Sequence, residues 1–173
     1  MLRIGAFEKV SREQFAEGAR KCCGELAEEQ IDSMYEGIVL PERATAGSAG
    51  YDLHLTAPLV LRPKETKLVA TGIRARMQDG WALFVFPRSG LGFKYRLQLN
   101  NTIGVIDSDY YGSDNEGHIF VRLTNDSNEG KILELSAGDA FAQAIFLPFG
   151  ITEDDDAKGV RNGGFGSTSA QKD

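Results

Sequence analysis

Apolar and polar positions follow a helical period in one early stretch and a strand-like period through most of the rest. Ser11-Arg12-Glu13-Gln14 fits a capping box, with Gln14 at the third helical position. Phe15, Ala19, Cys22 and Leu26 then recur at helix spacing and form one apolar stripe. The pattern predicts a helical segment over about 11–34, weakened by Gly18 and Gly24 and ending somewhere in 28–35. Residues 2–10 before it read as a short strand. From Ile38 onward the period changes. Ile38–Leu40, Tyr51–Leu55, Leu59–Leu61, Lys67–Thr71 and Ile73–Met77 are short extended candidates, punctuated by Pro41, Gly47, Gly50, Pro58, Pro63 and Gly72. Residues 117–124 and 131–135 continue the series around a turn from Asn125 to Gly130. Short, closely spaced strands predict an all-β antiparallel sandwich or barrel.

Two strands break the alternation. Trp81–Phe86 is apolar on both faces and Phe141–Leu147 nearly so. An antiparallel sheet usually keeps one polar face, so these strands predict a second packed surface, such as a subunit interface. After Phe149 the character changes again, to the acidic run Glu153–Asp156 and then a Gly-, Ser- and Thr-rich stretch from Arg161 to Ser169. The chain therefore reads as one domain over 1–150, with the helical insertion at about 11–34, and a C-terminal arm over 151–173 that composition marks as mobile.

Composition narrows the function classes. The 173 residues suit a single domain with a real core, and 42% hydrophobic content argues against disorder. The 20 glycines exceed the 12 or so that average usage would give, which favours a turn-rich β fold. Net charge is -6 and no Lys/Arg cluster occurs, so no nucleic-acid partner is expected. An anionic ligand would need a few local donors and a divalent cation. Cys22 and Cys23 are adjacent and cannot staple a fold. They fit a reducing, cytoplasmic setting, either as packed thiols or as a redox or metal site. No long apolar run marks a leader or a membrane span.

Five stretches carry candidate chemistry. In Ala46–Leu53, small residues lead to Asp52 at the start of a strand, where a carboxylate can hold a hydrated Mg²⁺ or cap a turn. Pro87-Arg88-Ser89-Gly90 offers a guanidinium fork, a hydroxyl and main-chain N–H groups, with Ser89 in position to cap a short helix. Asn100–Gly112 reads as an apolar strand in a tight hairpin with Asp107, Ser108 and Asp109 at its mouth. It is either a polar turn or a pocket wall. Gly104 within it permits a bulge or a close approach by another molecule. Gln143 is a polar residue between Phe141 and Ile145, whose amide needs partners from the core or a ligand; Asp139 before it caps a turn. Arg161–Ser169 combines exposed main-chain donors, hydroxyls and one aromatic, Phe165, the makings of a phosphate nest with a stacking ring. His54 reads as a satisfied core or edge residue. His118 sits after Gly117 with no triad-like partner.

In this order the five stretches resemble the trimeric deoxyuridine triphosphatase (dUTPase) family, over about residues 38–169. The resemblance rests on Ser48–Leu53, Pro87–Leu91, Gly104–Tyr110, Gly138-Asp139 with Ala142-Gln143, and Gly163–Thr168. It implies a distorted jelly-roll β-barrel, a homotrimer with shared active sites, and Mg²⁺-assisted hydrolysis of dUTP to dUMP and pyrophosphate. That reaction limits uracil in DNA and supplies dUMP for thymidylate synthesis. By the same resemblance Asp107 activates the attacking water. Asn101 and Gly104 lie in the uracil-reading hairpin. Tyr110 packs on the deoxyribose and leaves no room for a 2′-hydroxyl. Ser89, Gly90 and Gln143 bind phosphate, and Arg88 orders the site. Phe165 closes over uracil with Gly166 beside it, Arg161, Ser167 and Thr168 reach the γ-phosphate, and Asp52 lies near the metal, which it holds through water.

Three departures stand out. One residue fewer than usual separates Arg161 from Phe165, the loop 112–117 is longer than the common form, and the 11–34 segment is additional to the minimal fold. Two rival readings follow. A dCTP deaminase of the same superfamily would want a pocket glutamate and a second serine where Gly90 stands. A nucleotide-gated regulatory protein would use the N-terminal helix as its partner surface.

Overall fold

A computed structural model describes residues 1–159 and Arg161. The chain opens with strand β1 (Gly5–Lys9), then helices α1 (Arg12–Cys23) and α2 (Glu28–Glu36). Strands β2 (Tyr51–His54), β3 (Leu59–Leu61), β4 (Thr66–Ala70), β5 (Ile73–Met77) and β6 (Trp81–Pro87) follow. A short helix α3 (Ser89–Tyr95) leads to β7 (Leu97–Leu99) and β8 (Gly104–Ile106), and a 3₁₀ turn covers Ser108–Gly112. Strands β9 (Phe120–Asn125), β10 (Leu133–Leu135) and β11 (Ala140–Pro148) complete the described fold. It is mostly β-strand, and every strand pairing among the described residues is antiparallel. The sheets are β1-β5, β10-β3, β2-β11-β6-β8 and β4-β9-β7. Leu53, Leu61, Leu83, Leu123, Leu133 and Phe141 from these sheets are fully buried in one core.

The predicted helical segment is two helices. Gly24 does more than weaken the first: at φ 84 it ends α1, with its N–H bonded to the Arg20 carbonyl. Ala27 opens α2, and the Gln30 side chain accepts from the Ala27 N–H. Ser11 caps α1 through Gln14 N–H at 3.2 Å. The other half of the capping box differs from expectation. The Ser11 N–H and hydroxyl go to the Glu116 carboxylate, at 2.7 and 2.6 Å, not to Gln14. Phe15 and Ile31 are completely buried and join the main core, so the helices are built into the domain. Each such side chain contributes about 2 kcal/mol by leaving water. Cys22 packs in the stripe, its thiol pushed up to about 11 chiefly by burial, while Cys23 is exposed. The packed-thiol reading fits this pair. Among the described residues no group of three His, Cys, Asp or Glu can hold a metal.

Two strand expectations fail. Ile38–Leu40 is not a strand. Ile38 turns in beneath Gly72 while Val39 and Leu40 stay exposed, and Pro41 cannot donate to a ladder. The expected hairpin over 100–112 is not a hairpin either: β7 pairs with β9 and β8 pairs with β6, in different sheets. The turn between them carries the chain from one sheet to the other. Gly104 is buried there, where a Cβ would meet Val85 at 3.2 Å, so the close approach it permits is that of β6.

Candidate active site

The largest sheet places the candidate residues by register. On β2, β11 and β6, Asp52 lies opposite Gln143, and Gln143 opposite Phe86. Directly opposed residues share a face. Arg88, two positions past Phe86, emerges on that same face, and its Nε sits 3.2 Å from Asp52 Oδ1. One terminal nitrogen also donates to the Ala140 carbonyl at 3.3 Å. Arg88 thus ties the ends of β2, β6 and β11 together. Arg88, not Ser89, is the N-cap of α3; Ser89 is its first residue. Ser89 and Gly90 are exposed beside Arg88. Gln143 is half-buried, and a Cβ on Gly50 would lie 2.7 Å from its Oε1, so a larger residue there would push the Gln143 side chain aside. Its side-chain amide makes no hydrogen bond among the described residues, while its main chain is held in the β11 ladders.

The second group lies beyond β8. Asp107 is exposed and extended at the entry to the 3₁₀ turn, and Asp109 is exposed two residues on. Arg161 joins them: its Nη1 is 2.6 Å from Asp107 Oδ2 and 3.3 Å from Asp109 Oδ1, and its guanidinium carbon is 5.1 Å from the centre of the Tyr110 ring. Sequence reasoning gave Asp109 no role, because nothing local marks it; its partner lies 52 residues away. Arg161, for which the resemblance implies a γ-phosphate contact, rests on this pair of carboxylates in the structure. Phe165, Gly166, Ser167 and Thr168 lie outside the described residues.

Tyr110 is only 2% exposed. Its hydroxyl donates to the His118 carbonyl and accepts from Asn115 Nδ2, both at 2.8 Å. Burial holds the phenol above its ordinary range, against opposing pulls from Asn115 and Arg161. Asn115 and His118 were missed as functional neighbours for the same reason as Asp109. A cleft of 760 Å³ opens where β7 and β8 part, lined by Asn101, Gly104, Ile106, Val85, Leu99 and Asn115. Asn101 stands exposed on its rim.

The histidine rings stand apart from both groups. His118 is fully buried against Phe120 and accepts from the Gly72 N–H through Nε2. Burial pushes it down to about 4, which leaves it uncharged near neutrality. His54 is not satisfied as expected, since its buried Nδ1 has no partner among the described residues. Asp139 does cap its turn, accepting from the Ser136 N–H at 2.8 Å.

The two groups are separated within one chain. Leu83 pairs with Ile106 and Val85 with Gly104, so Asp107 lies beside Ala82. Arg88 lies at the other end of β6, about 20 Å away at the rise of an extended strand.

Comparison with known proteins places this arrangement. The dUTPase family model matches residues 36–169. The chain belongs to the dUTPase family. It is similar to the deoxyuridine 5′-triphosphate nucleotidohydrolase of Lactococcus lactis, 42% identical over 137 residues that cover 78% of this chain and 90% of that protein. The dUTPase of Streptococcus mutans has a similar structure, with a TM-score of 0.64 and 34% identity over 86% of this chain and 98% of its own. The dUTPase of phage phi11 of S. aureus shares the fold at 22% identity and a TM-score of 0.59, over 73% of this chain and 94% of its own; that structure shows the coordination of a structural Mg(II) ion. The family match begins at residue 36, so it leaves out α1 and nearly all of α2.

Proposed function

We propose that this chain hydrolyses dUTP to dUMP and pyrophosphate at sites shared between copies of itself in a homotrimer. One observation carries the proposal: the Asp52–Arg88–Gln143 row and the Asp107 carboxylate sit at opposite ends of β6. A single chain offers phosphate donors in one place and a water-placing carboxylate in another. A neighbouring copy brings the missing half. The same sheet supplies a surface for it. Next to the polar row, Ile145, Phe84 and Val105 lie side by side across β11, β6 and β8, and Val105 is 47% exposed. This is the second apolar face that the sequence of β6 and β11 predicts. Burying it between copies would give a trimer of jelly-roll domains over 1–150, with the arm of 151–173 closing each site.

In this reading a water held by Asp107 attacks the α-phosphorus. A new phosphorus–oxygen bond forms, the bond to the bridging oxygen breaks, and pyrophosphate leaves. The proton of the water passes to Asp107 and then to solvent. Phosphoryl transfer needs placement and charge neutralisation more than covalent help. Ser89, Gly90 and Gln143 supply hydrogen-bond donors to the phosphates, and Arg88 keeps that row in register. Asn101 and Gly104 border the cleft for the base. In the free chain Arg161 occupies Asp107 Oδ2; a triphosphate, with more negative charge, competes for that guanidinium.

The donor set fits Mg²⁺. Asp52 gives Oδ1 to Arg88 and keeps a second carboxylate oxygen, which suits a cation held mainly by water and phosphate oxygens. When bound, the ion neutralises charge on the triphosphate. The two cysteines, Cys22 and Cys23, are free thiols, which suits a reducing setting such as the cytoplasm.

Complementation tests the shared site. Asp107→Asn and Gln143→Ala chains, each inactive alone, are unfolded, mixed and refolded together. Pyrophosphate release from dUTP returns in the mixture if one copy's Gln143 works with another's Asp107. A mixture as inactive as its parents sinks the shared-site proposal. Ammonia release from dCTP by the wild-type protein would instead identify a deaminase.

A further inference from the structure

The loop after the 3₁₀ turn and the added helix α1 are joined, and what they hold between them is Tyr110. Asn115 Nδ2 donates to the Tyr110 hydroxyl, while Asn115 Oδ1 accepts from the Gly117 N–H at 3.2 Å. This pair of bonds sets which way the amide faces. The hydroxyl gives its own proton to the fixed His118 carbonyl. Held from two sides, the phenol cannot swing. Glu116 and Gly117 both have positive φ, at 56° and 70°. A Cβ on Gly117 would come within 2.7 Å of the Tyr110 carbonyl oxygen and 2.8 Å of Tyr111 Cα, so the loop lies directly on the tyrosine main chain.

A left-handed glutamate needs compensation, and α1 supplies it. The Glu116 carboxylate takes both the N–H and the hydroxyl of Ser11, the residue that caps α1. Burial opposes ionisation of Glu116, but the two bonds from Ser11 and the charge of Arg74 outweigh it, and the group is held below the usual carboxylate range. Beyond the loop, His118 packs under the same helix, where a Cβ on Gly18 would meet its ring at 2.5 Å. The longer loop and the added helix are therefore one mechanical unit.

We infer that Asn115 is a positioning residue for Tyr110, and that α1, acting through Ser11 and Glu116, holds Asn115 in place. Together they set how closely the phenol wall approaches the sugar and so how strongly a 2′-hydroxyl is rejected. The inference rests on the reading of Tyr110 as the sugar wall and extends it to residues that lie outside the five stretches. A wall resists an extra hydroxyl only as far as it is stiff, and here the stiffness comes from Asn115 and from the helix behind it.

The test is pyrophosphate release from dUTP and from UTP, with Mg²⁺, on the full-length protein. Asn115→Asp keeps the acceptor for the Gly117 N–H and removes the donor to Tyr110. In that variant kcat/KM for UTP relative to dUTP rises about tenfold, the worth of one hydrogen bond. Glu116→Gln moves selectivity the same way by a smaller factor. Tyr110→Phe removes the bonds to both Asn115 and His118 and raises it at least as far as Asn115→Asp does, and adding Asn115→Asp to Tyr110→Phe gives no further rise, because the bond it removes is already gone. If Asn115→Asp and Glu116→Gln lower the melting temperature but keep wild-type selectivity, the loop is a structural brace only and the inference is overturned. A wild-type protein that turns over UTP as well as dUTP overturns the sugar-wall reading itself, and this inference with it.

Discussion

The two halves of the candidate site are held by different means. At one end of β6, Asp52, Gln143 and Arg88 are placed by strand register, each a fixed step from the next along hydrogen-bonded ladders. At the other end, Asp107, Asp109 and Tyr110 leave the ladder and enter a 3₁₀ turn. There their surroundings come from side chains far away in sequence: Arg161, Asn115, His118 and, behind them, Glu116 with Ser11. A register-built half is stiff and tolerates little adjustment. A contact-built half can exchange partners, and the Arg161 bridge to two carboxylates is such an exchangeable contact.

The largest effect expected from this contrast is at Asp107. Asp107→Asn lowers kcat for dUTP by about 10³-fold, within the usual worth of a general base, while a non-hydrolysable dUTP analogue still binds. Single-turnover rates beside equilibrium titration check it, and unchanged turnover would remove Asp107 from the chemistry. Next comes the arm. Deleting residues 160–173 removes Arg161 and leaves a folded protein, judged by circular dichroism and gel filtration, with dUTP turnover lowered by about 10²-fold, the scale on which substrate closure and positioning act. Full activity after that deletion would mean that the arm has no part in the site.

In the register-built half the effect is smaller and of another kind. Arg88→Lys keeps the charge but not the planar fork that reaches both Asp52 and the Ala140 carbonyl. KM for dUTP rises about tenfold, the cost of losing one charge-assisted hydrogen bond, with kcat little changed. A fall in kcat like that of Asp107→Asn, at constant KM, would erase the distinction between the halves.

The smallest effect concerns stability and comes from His118. Its folded-state value of about 4 lies below the ordinary 6.5, so between those limits the unfolded chain binds more protons. The contribution is fully present above about pH 6.5 and is lost as pH falls toward 4. At pH 4.5 the loss amounts to about 2 kcal/mol. Urea unfolding at pH 7 and pH 4.5, at one protein concentration, reads it. His118→Gln flattens the difference between the two pH values, and an equally steep loss in that variant would assign the pH dependence to other groups.

Much of the register-built half is legible in the sequence because its cause is local. Alternating apolar residues place β5 at Ile73–Met77, and an uninterrupted apolar run places β6 within a residue of its end. Small residues before Asp52 mark the close approach that Gly50 makes to Gln143. Asp107 and Tyr110 are visible as part of a recurring motif, but their environment is not. Asn115 reads as one more polar loop residue, and Asp109 as a turn former.

By itself the sequence determined the mostly-β character, the cap and the start of α1, the positions of nearly all strands, and the five stretches that carry family membership. These depend on periods and spacings within a few residues, which are written in the chain. Only the tertiary structure decided that β7 and β8 belong to different sheets, that Ser11 shares its cap with Glu116, that Arg161 rests on Asp107 and Asp109, and that the two halves lie at opposite ends of one strand. The reason is physical. A hydrogen bond across 105 residues leaves no periodicity at either end, and it exists only once the core has brought both partners to the same place.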